Sequence, residues 1–251
     1  MSERVFGIHA VEALLRNDVA RVRRLLVQTE RNDQRVATIV ALAADANVPI
    51  EHLPRRQLDR LMHDARHQGV VAETASADLA SEAELELRFP TLPSPVLLLA
   101  LDGVTDPRNL GACLRSADAA GVDAVLLPKS RSAPITEVTR KAASGAAEAL
   151  FVVSVSNLVR RLEWLKRQNV WIVGAAADGD ATWCDVDLTQ STALVVGGEG
   201  RGLRDLTRKT CDQRVSIPMH GTVSSLNVSV ATGILLFEAV RQRARSTVER
   251  S

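Results

Sequence analysis

The sequence predicts an α/β protein in which a small N-terminal α/β domain precedes a larger C-terminal domain built on a parallel sheet. Two observations support this prediction. The C-terminal two-thirds contains near-continuous apolar runs alternating with helical patterns, as expected of strands buried on both faces of a parallel sheet. An acidic segment with several prolines separates these runs from the preceding part of the chain. The runs span residues 96–101, 124–127, 150–155, 170–176, 193–198 and 214–219.

The first 75 residues have the pattern of a compact accessory domain. Its helices are predicted from helical periodicity and its strands from short runs of aliphatic residues. A unit of this size is too small for an obvious active site. The predicted elements are helices at 9–16 and 35–46, one or two helical turns at 57–62, and strands at 24–28, 48–53 and 70–73.

The segment 76–95 differs in composition from the chain on either side. It has four acidic residues against one arginine, and Pro90, Pro93 and Pro95 fall within six residues. Acidic bias together with proline is typical of an extended, semi-stiff linker. We therefore expect domains at residues 1–75 and 96–251, joined by this linker.

Composition limits the functions that the chain can have. The 251 residues carry a net charge of +1, and aromatic residues make up 3% with no tyrosine, which disfavours recognition of bases by aromatic stacking. Three cysteines without metal-ligand spacing argue against a zinc site and against a disulfide framework. No signal peptide is visible, and the longest apolar stretch, 96–101, is too short to span a bilayer. A soluble cytoplasmic protein is expected.

Helical patterns at 109–120, 135–147, 157–168 and 226–243 connect the apolar runs of the C-terminal domain. Asp106 and Pro107 predict the start of the first helix, because aspartate caps free N–H groups and proline is tolerated at the first position. Arg108 and Arg115 fall on one side of it, which is either a solvated surface or an edge that faces an anion. The opposite, apolar side comprises Leu110, Cys113, Leu114 and Ala117.

A glycine-rich segment, GGEGRGL at 197–203, follows the run at 193–198. Glycines allow close approach of a ligand to the backbone, but this spacing fits neither the P-loop nor the dinucleotide-binding motif. A Rossmann-type nucleotide enzyme is also disfavoured, since its glycine loop follows the first strand. Glu199 is either a functional carboxylate or a helix-capping acid.

A third polar cluster precedes the last helix, in IPMHGTVSSLNVSVATGILLFEA at 217–239. Ser225 or its neighbour could cap this helix. Capping explains one polar residue but not the whole cluster of Ser224, Ser225, Asn227 and Ser229.

Taken together, these segments resemble a known family. NLGxxxR at 109–115, GGEGxGL at 197–203 and IPM…SLNVSVA at 217–231 are similar to the three signature motifs of the SpoU/TrmH family, and occur in the same order. This family belongs to the SPOUT superfamily of RNA methyltransferases. FGIHAVEALL at 6–15 and HQGVVA at 67–72 resemble the RNA-binding domain, similar to ribosomal protein L30e, that precedes the catalytic domain in part of the family.

The resemblance implies a fold and a reaction. The C-terminal SPOUT domain would contain a deep trefoil knot that holds S-adenosylmethionine, and two copies would form a homodimer whose sites use residues of both subunits. The reaction would be methyl transfer to the ribose 2′-hydroxyl of a guanosine in the peptidyl-transferase loop of 23S rRNA. A tRNA ribose 2′-O-methyltransferase and a non-catalytic RNA-binding or ribosome-assembly protein are the alternatives.

The resemblance also implies site residues, with no metal among their ligands. Arg115 matches the arginine proposed as general base in the family, but guanidinium groups hold their protons too firmly for that role. We therefore expect Arg115 to clamp a phosphate and stabilise the developing alkoxide, oriented by Asn109 and Glu199. Arg201 and His220 depart from the family pattern and could tune the choice of RNA. The implied catalytic residues are Asn109, Arg115, Glu199, Ser225 and Asn227, and the implied cofactor contacts are Gly174, Gly197, Gly198, Ile217, Met219, Leu226 and Asn227.

Overall fold

A computed structural model of the chain describes residues 2–29, 31, 33–62, 67–75 and 79–248. Within them the chain forms one four-stranded sheet and one seven-stranded sheet, each with its own helices. This arrangement confirms the predicted α/β class, with the parallel sheet in the C-terminal part.

The N-terminal part is an α/β sandwich around a mixed sheet. Its strand order is β1-β4-β2-β3, with β2 and β3 parallel and the other pairs antiparallel. The predicted elements are confirmed with shifted ends, whereas β1, an edge strand without a long apolar run, was not predicted. The elements are β1 (Ser2–Phe6), α1 (Ile8–Asn17), β2 (Val22–Gln28), α2 (Gln34–Asp45), β3 (Ile50–Leu53), α3 (Arg55–Leu61) and β4 (Val70–Ala75).

The segment expected to be an extended linker contains a helix, α4 (Glu82–Arg88), so that prediction is wrong for these residues. Ser81 and Glu84 form a capping box, in which each side chain accepts a hydrogen bond from the backbone N–H of the other residue. Leu85 is fully buried in the core of the C-terminal domain. The acidic bias thus reflects a helix start rather than an extended chain. Residues 76–78 of the expected linker lie outside the described residues.

Ionic contacts also hold α4 on the C-terminal domain. Glu82 accepts hydrogen bonds from Ser156 and Arg161, and Glu86 accepts one from Arg161. Burial disfavours the charged form of Glu82, but the bonds from Ser156 and Arg161 outweigh it and lower its pKa to about 2. The carboxylate is therefore ionised at neutral pH and fixes α4 in place.

The C-terminal domain is a parallel sheet in the order β7-β6-β5-β10-β8-β11-β9, covered by helices on both faces. The predicted strands are confirmed, but the helix expected at 135–147 is two helices, because Ser144 adopts a left-handed φ of 53°. The elements are β5 (Leu97–Asp102), α5 (Pro107–Ala119), β6 (Ala124–Pro128), α6 (Glu137–Ala143), α7 (Ala146–Ala149), β7 (Val152–Val155), α8 (Leu158–Arg167), β8 (Trp171–Ala175), β9 (Ala181–Thr182), β10 (Thr192–Gly197), α9 (Asp205–Thr210), β11 (Gln213–Ser216) and α10 (Val228–Val248).

The central strand β5 shows how the sheet separates two apolar cores. Leu97, Leu99 and Leu101 face the core that α5 and α10 cover, whereas Leu98 and Ala100 face the core that α4 and α8 cover. Successive side chains of a strand point to opposite faces, so a strand buried on both sides must be apolar throughout. The trefoil knot implied by the resemblance stays a prediction.

None of the helices in the described ranges combines the length and the apolar character needed to cross a membrane.

Helices α5 and α6 cross at Gly111. A Cβ at this position would lie 2.4 Å from the Thr139 carbonyl oxygen and 2.6 Å from the Ala142 Cβ. The carbonyl belongs to the backbone and cannot rotate away, so the two helices could no longer approach each other as they do. Any side chain at Gly111 would therefore displace α5, which carries Asn109 and Arg115.

We expect Gly111→Ala to lower the free energy of unfolding by about 1–3 kcal/mol, the usual cost of overpacking. Urea unfolding measures the change. Gly233→Ala is the matched control, because Gly233 is also inside a helix but its added Cβ would lie 3.7 Å from Ser116 Oγ, an ordinary contact. Alanine is the better helix former by about 1 kcal/mol, so the control should be at least as stable as the parent. Equal destabilisation of both variants would contradict the crossing geometry.

Candidate active site

The glycine-rich loop at 197–203 follows β10 at the carboxyl edge of the sheet and folds back on itself. The Gly198 N–H donates to the Asp102 carbonyl oxygen at 2.9 Å, and the Gly202 N–H donates to the Gly198 carbonyl oxygen at 3.1 Å. A Cβ on Gly198 would lie 1.9 Å from the Gly103 carbonyl oxygen. The loop after β10 is therefore in direct contact with the loop after β5, and the contact requires glycine at position 198.

Asp102, the last residue of β5, fixes both ends of this loop. Its side chain is fully buried, and one carboxylate oxygen accepts the Arg204 backbone N–H at 3.0 Å. The other oxygen accepts the Arg204 Nε–H at 2.5 Å. Since the Asp102 carbonyl also binds Gly198, one residue holds the chain before and after the glycines. The sequence singled out neither Asp102 nor Arg204, although an acid that ends a buried apolar strand is itself unusual.

A cavity of about 510 Å³ opens between this loop and the start of α10, a size typical of small-molecule sites. It lies at the carboxyl ends of β8 and β10, which is where parallel sheets bind ligands. Its lining includes six of the implied site residues, Gly197, Gly198, Glu199, Ser225, Leu226 and Asn227. Its other lining residues are Ala176, Ala177, Asp178, Val196, Gly200, Arg201, Gly202, Leu203, Arg208, Val228 and Ala231.

A chain of hydrogen bonds links the three motifs. Asn109 Nδ2 donates to Glu199 Oε1 at 2.7 Å, and Asn227 Nδ2 donates to Asn109 Oδ1 at 3.1 Å. Asn227 Oδ1 accepts from the Ser229 N–H at 2.9 Å and from the Ser229 hydroxyl at 2.6 Å. Both ends of the Asn109 amide are thus bonded, so its orientation is fixed. The structure brings together one residue from each of the three motifs at the rim of the cavity.

Asn227, and not Ser225, takes the capping position of α10, which corrects the expected cap. The helix begins at Val228, and Asn227 Oδ1 accepts an N–H of the first turn, as an N-cap residue does. Ser225 is exposed and lines the cavity. The cap explains why Asn227 holds one orientation while it also bonds to Asn109.

Arg115 lies apart from this network. It is exposed, and its Nη1 donates to Ser144 Oγ at 3.4 Å. Arg115 is six residues beyond Asn109 on α5, a distance of about 9 Å along the helix. Asn109 and Glu199 bond to each other and not to the guanidinium. The expected orientation of Arg115 by these two residues is therefore not what the structure shows within one chain.

Three of the implied cofactor contacts lie outside the cavity lining. A Cβ on Gly174 would lie 2.6 Å from Cys211 Sγ and 2.8 Å from Leu203 Cδ1, so packing against these side chains accounts for this glycine. Ile217 is half-buried against the core that α5 and α10 cover, and Met219 is half-buried in the segment after β11. A backbone contact from Ile217 or Met219 to a ligand stays a prediction.

The site contains no reactive thiol. Burial between α5 and α10 raises the pKa of Cys113 to about 11, despite a contact of 3.5 Å with Thr232 Oγ1. Burial also raises the pKa of Cys211 to about 11. Both side chains stay protonated at neutral pH and are poor nucleophiles. The described residues include no group of three or more His, Cys, Asp or Glu side chains that could hold a metal ion.

The sequence analysis missed the segment at 176–178 and Arg208 as parts of the cavity. Both lie where the carboxyl ends of β8 and β10 meet, and Arg208 forms an ion pair with Asp178. The signal was present, because Ala177 and Asp178 directly follow the apolar run at 170–176 and parallel strands present their carboxyl ends to a ligand. Arg208 gave no signal, since it comes from a helix that was not predicted.

Comparisons with known proteins identify the family. The SpoU rRNA Methylase family matches residues 96–237. The chain belongs to this family. An RNA 2′-O ribose methyltransferase substrate-binding domain matches residues 4–80. The chain is therefore an RNA ribose methyltransferase of the SpoU family with a substrate-binding domain in front of the catalytic domain.

Relatives and solved structures resemble the chain over nearly its whole length. The 23S rRNA (guanosine-2′-O-)-methyltransferase RlmB of Pseudomonas syringae pv. tomato is 50% identical over 96% of both chains. The enzyme with the same description from Escherichia coli K12 is 48% identical over 97% of this chain and 100% of its own. The SpoU methyltransferase AviRb of Streptomyces viridochromogenes, solved with AdoMet, has a TM-score of 0.80 at 25% identity and covers 97% of this chain and 91% of its own.

We expect Asp102→Asn to release the glycine-rich loop of this SpoU enzyme. The change removes the negative charge that binds Arg204. Because Arg204 itself is 39% exposed, the expected loss in the free energy of unfolding is about 1–3 kcal/mol, the cost of a lost buried hydrogen-bond partner. Urea unfolding measures the stability, and amide hydrogen exchange at Gly198 and Arg204 measures the release of the loop.

The control for this variant is Asp180→Asn, which removes an exposed carboxylate from Arg214. Exposed ion pairs contribute little, so the control should match the parent in stability and in exchange. If Asp102→Asn behaved like the control, Asp102 would not be the residue that fixes the loop.

Proposed function

We propose that this chain transfers the methyl group of S-adenosylmethionine to the ribose 2′-hydroxyl of a guanosine in 23S rRNA. The observation that carries the proposal is a match over the whole chain, including the substrate-binding domain, to enzymes described as 23S rRNA guanosine methyltransferases at 48–50% identity. Because ribosomal RNA is made and modified in the cytoplasm, we propose that the protein works there.

The cavity beside the glycine-rich loop is the proposed site of the methyl donor. Its walls combine exposed glycine backbone with the apolar side chains of Leu203, Leu226 and Val228, as expected for a pocket that holds a nucleoside. Gly197, Gly198, Leu226 and Asn227 would contact the donor, and Ile217 and Met219 would add backbone contacts. A neighbour of the same fold was solved with AdoMet, which supports this choice of donor.

The proposed mechanism relies on positioning. When it is bound, S-adenosylmethionine supplies a methyl group on a good leaving group, so the protein must orient the ribose and help to remove one proton. Asn109, Glu199, Ser225 and Asn227 would hold the ribose hydroxyls at the rim of the cavity. The bonds that Asn109 makes to Glu199 and Asn227 fix its amide before the substrate arrives, and a preorganised group needs no reorganisation during the reaction.

Arg115 is proposed as a phosphate clamp that stabilises the developing alkoxide, and not as the general base. An arginine keeps its proton in proteins, which makes it a poor base, whereas its planar fork suits a phosphate. Its exposed position outside the cavity lining supports a role toward RNA.

The proposed reaction is tested with the purified full chain, labelled S-adenosylmethionine and either protein-free 23S rRNA or tRNA. We expect label in 23S rRNA, at the 2′-oxygen of one guanosine that nuclease mapping locates. Label in tRNA alone would contradict the rRNA assignment. Label in neither RNA, with the donor still bound, would favour a non-catalytic RNA-binding protein.

The variant Arg115→Lys distinguishes a phosphate clamp from a general base at this position. Loss of the bidentate fork should lower kcat by about 100-fold, as when one donor of a preorganised anion site is removed, with donor affinity unchanged. The dependence of kcat on pH should keep the shape of the parent. Near-full turnover that rises tenfold per pH unit would instead assign a base to this position.

One alternative to this function is a tRNA substrate, and the other is a non-catalytic RNA-binding or ribosome-assembly protein. Solved structures described as tRNA-modifying enzymes match only 65% and 61% of this chain, whereas the rRNA enzymes match nearly all of it. The extra length corresponds to the substrate-binding domain at residues 4–80, which supports rRNA. A non-catalytic protein on the same fold would tolerate damage to the motifs, and here all three are complete.

We also propose that the enzyme is a homodimer, as the family resemblance implies. Val230 and Phe237 lie two turns apart on one side of α10 and are each about half exposed, at 50% and 49%. Exposed apolar side chains on one face are typical of an interface. Light scattering at micromolar concentration should give twice the chain mass of 27.1 kDa. A mass of one chain would contradict the dimer.

A further inference from the structure

A cleft of about 310 Å³ separates the N-terminal domain from α6. One wall is formed by the end of β1 and the start of α1, including Arg4 and His9, and the other by Arg140, Lys141 and Ser144. This cleft is distinct from the cavity beside the glycine-rich loop, because the two share no lining residue.

The walls of the cleft are held together by packing. Helix α1 packs against α7, and a Cβ on Gly145 would lie 3.0 Å from the His9 carbonyl oxygen. Arg140 forms an ion pair with Glu148, and both side chains are buried. The two domains thus meet where α1 packs on α7, and the ion pair ties α7 to α6, which carries the other wall of the cleft.

The charged side chains of the cleft differ in whether a partner already binds them. Arg4 donates to the Leu61 carbonyl oxygen and lies 3.6 Å from Glu73, and Arg140 is bound to Glu148. Lys141 is exposed and forms no ion pair within the described part of the chain. Glu137, four residues before it, also lines the cleft and is likewise exposed and unpaired among the described residues, so the cleft holds one unpaired cation and one unpaired anion. Lys141 is therefore free to bind an external anion.

One hydrogen bond links the cleft to α5, the helix that carries Arg115. Ser144 lines the cleft and accepts the hydrogen bond from Arg115. Arg115 is on α5, about 9 Å along that helix from Asn109, which bonds to Glu199 at the cavity. Ser144 thus holds Arg115 beside the cleft that Lys141 lines, and Asn109 lies further along α5 beside the cavity.

Two arginines of the N-terminal domain are already engaged by carboxylates. Arg24 is bound by both Glu51 and Glu73, and Arg55 lies 3.6 Å from Asp59. A phosphate must compete with these carboxylates for the arginine. At Lys141 it meets no such competitor among the described residues.

We infer that the RNA strand next to the target guanosine runs through this cleft, with its phosphates on Lys141 and Arg115. The inference rests on the proposed function and specifies how that site receives RNA. Each phosphate that binds a cation releases a condensed counterion, so affinity falls as salt rises, with a slope of roughly 0.7 per contact for single strands.

The test is filter binding of the full chain to protein-free 23S rRNA over about 0.05–0.2 M KCl, a range in which phosphate contacts strongly affect affinity. We compare the parent, Lys141→Ala, the conservative Lys141→Arg and the control Arg167→Ala. Arg167 is an exposed cation in the last turn of α8, as Lys141 is in the last turn of α6, but α8 covers the opposite face of the sheet. Calorimetry with S-adenosylmethionine verifies that the donor site is intact in every variant.

Lys141→Ala should weaken RNA binding about fivefold at about 0.1 M salt and make the salt slope shallower by roughly 0.7, the effect of one lost phosphate contact. Lys141→Arg should retain both, and Arg167→Ala should match the parent. Unchanged affinity and slope in Lys141→Ala, or an equal loss in Arg167→Ala, would overturn the inference.

Methyl transfer by the same samples distinguishes this inference from the proposed function. A parent that binds 23S rRNA through Lys141 but transfers no methyl group contradicts the proposed function and supports the cleft. A parent that methylates 23S rRNA while Lys141→Ala binds normally contradicts the cleft alone.

Discussion

The buried carboxylate of Asp102 is the constraint on which the candidate site depends. Strands β5 and β10 are neighbours in the sheet, and each ends in a loop at its carboxyl edge. Asp102 binds the loop after β10 at both ends, through Gly198 and Arg204, and so converts a flexible glycine segment into a fixed wall. A buried charge is tolerated only when it is paired and hydrogen-bonded, and here the pairing itself gives the loop its shape. The position of Glu199, which lies in this loop, follows from the loop shape that Asp102 fixes.

The site is built to position groups. Asparagine amides from two motifs bond to each other and to a glutamate of the third, and the two cysteines near the sheet stay protonated. Such a network offers orientation but no strong nucleophile. It suits a reaction in which the donor already carries its leaving group, because the remaining barrier is lowered mainly by alignment and by stabilising the charge on the ribose oxygen. The network takes residues from three segments that are distant in the chain, so each motif is ambiguous when it is considered alone.

The segment expected to be an extended linker is anchored on the catalytic domain from residue 82 onward. Helix α4 is fixed by Leu85 in the core and by Glu82 on Arg161, and Phe89 contacts Trp164 edge-on with ring centroids 5.2 Å apart. Aromatic side chains that pack α4 in this way are not available to stack on bases. Recognition of RNA must then depend on charge and shape. The net charge of +1 does not show how the charges are arranged, and many arginines are already paired with carboxylates.

The sequence by itself determined the fold class, nearly every strand of the parallel sheet, and the three motifs, because buried strands and glycine loops leave local patterns. It also determined the start of α5, since Asp106 caps that helix as expected. Only the tertiary structure decided which polar residues meet. Asn109 bonds to Glu199, which is 90 residues away, whereas Arg115 bonds to Ser144. Gly174 packs against neighbouring side chains, and residues 82–88 form a helix. These outcomes depend on distances between segments that are remote in the chain, and local periodicity carries no information about such distances.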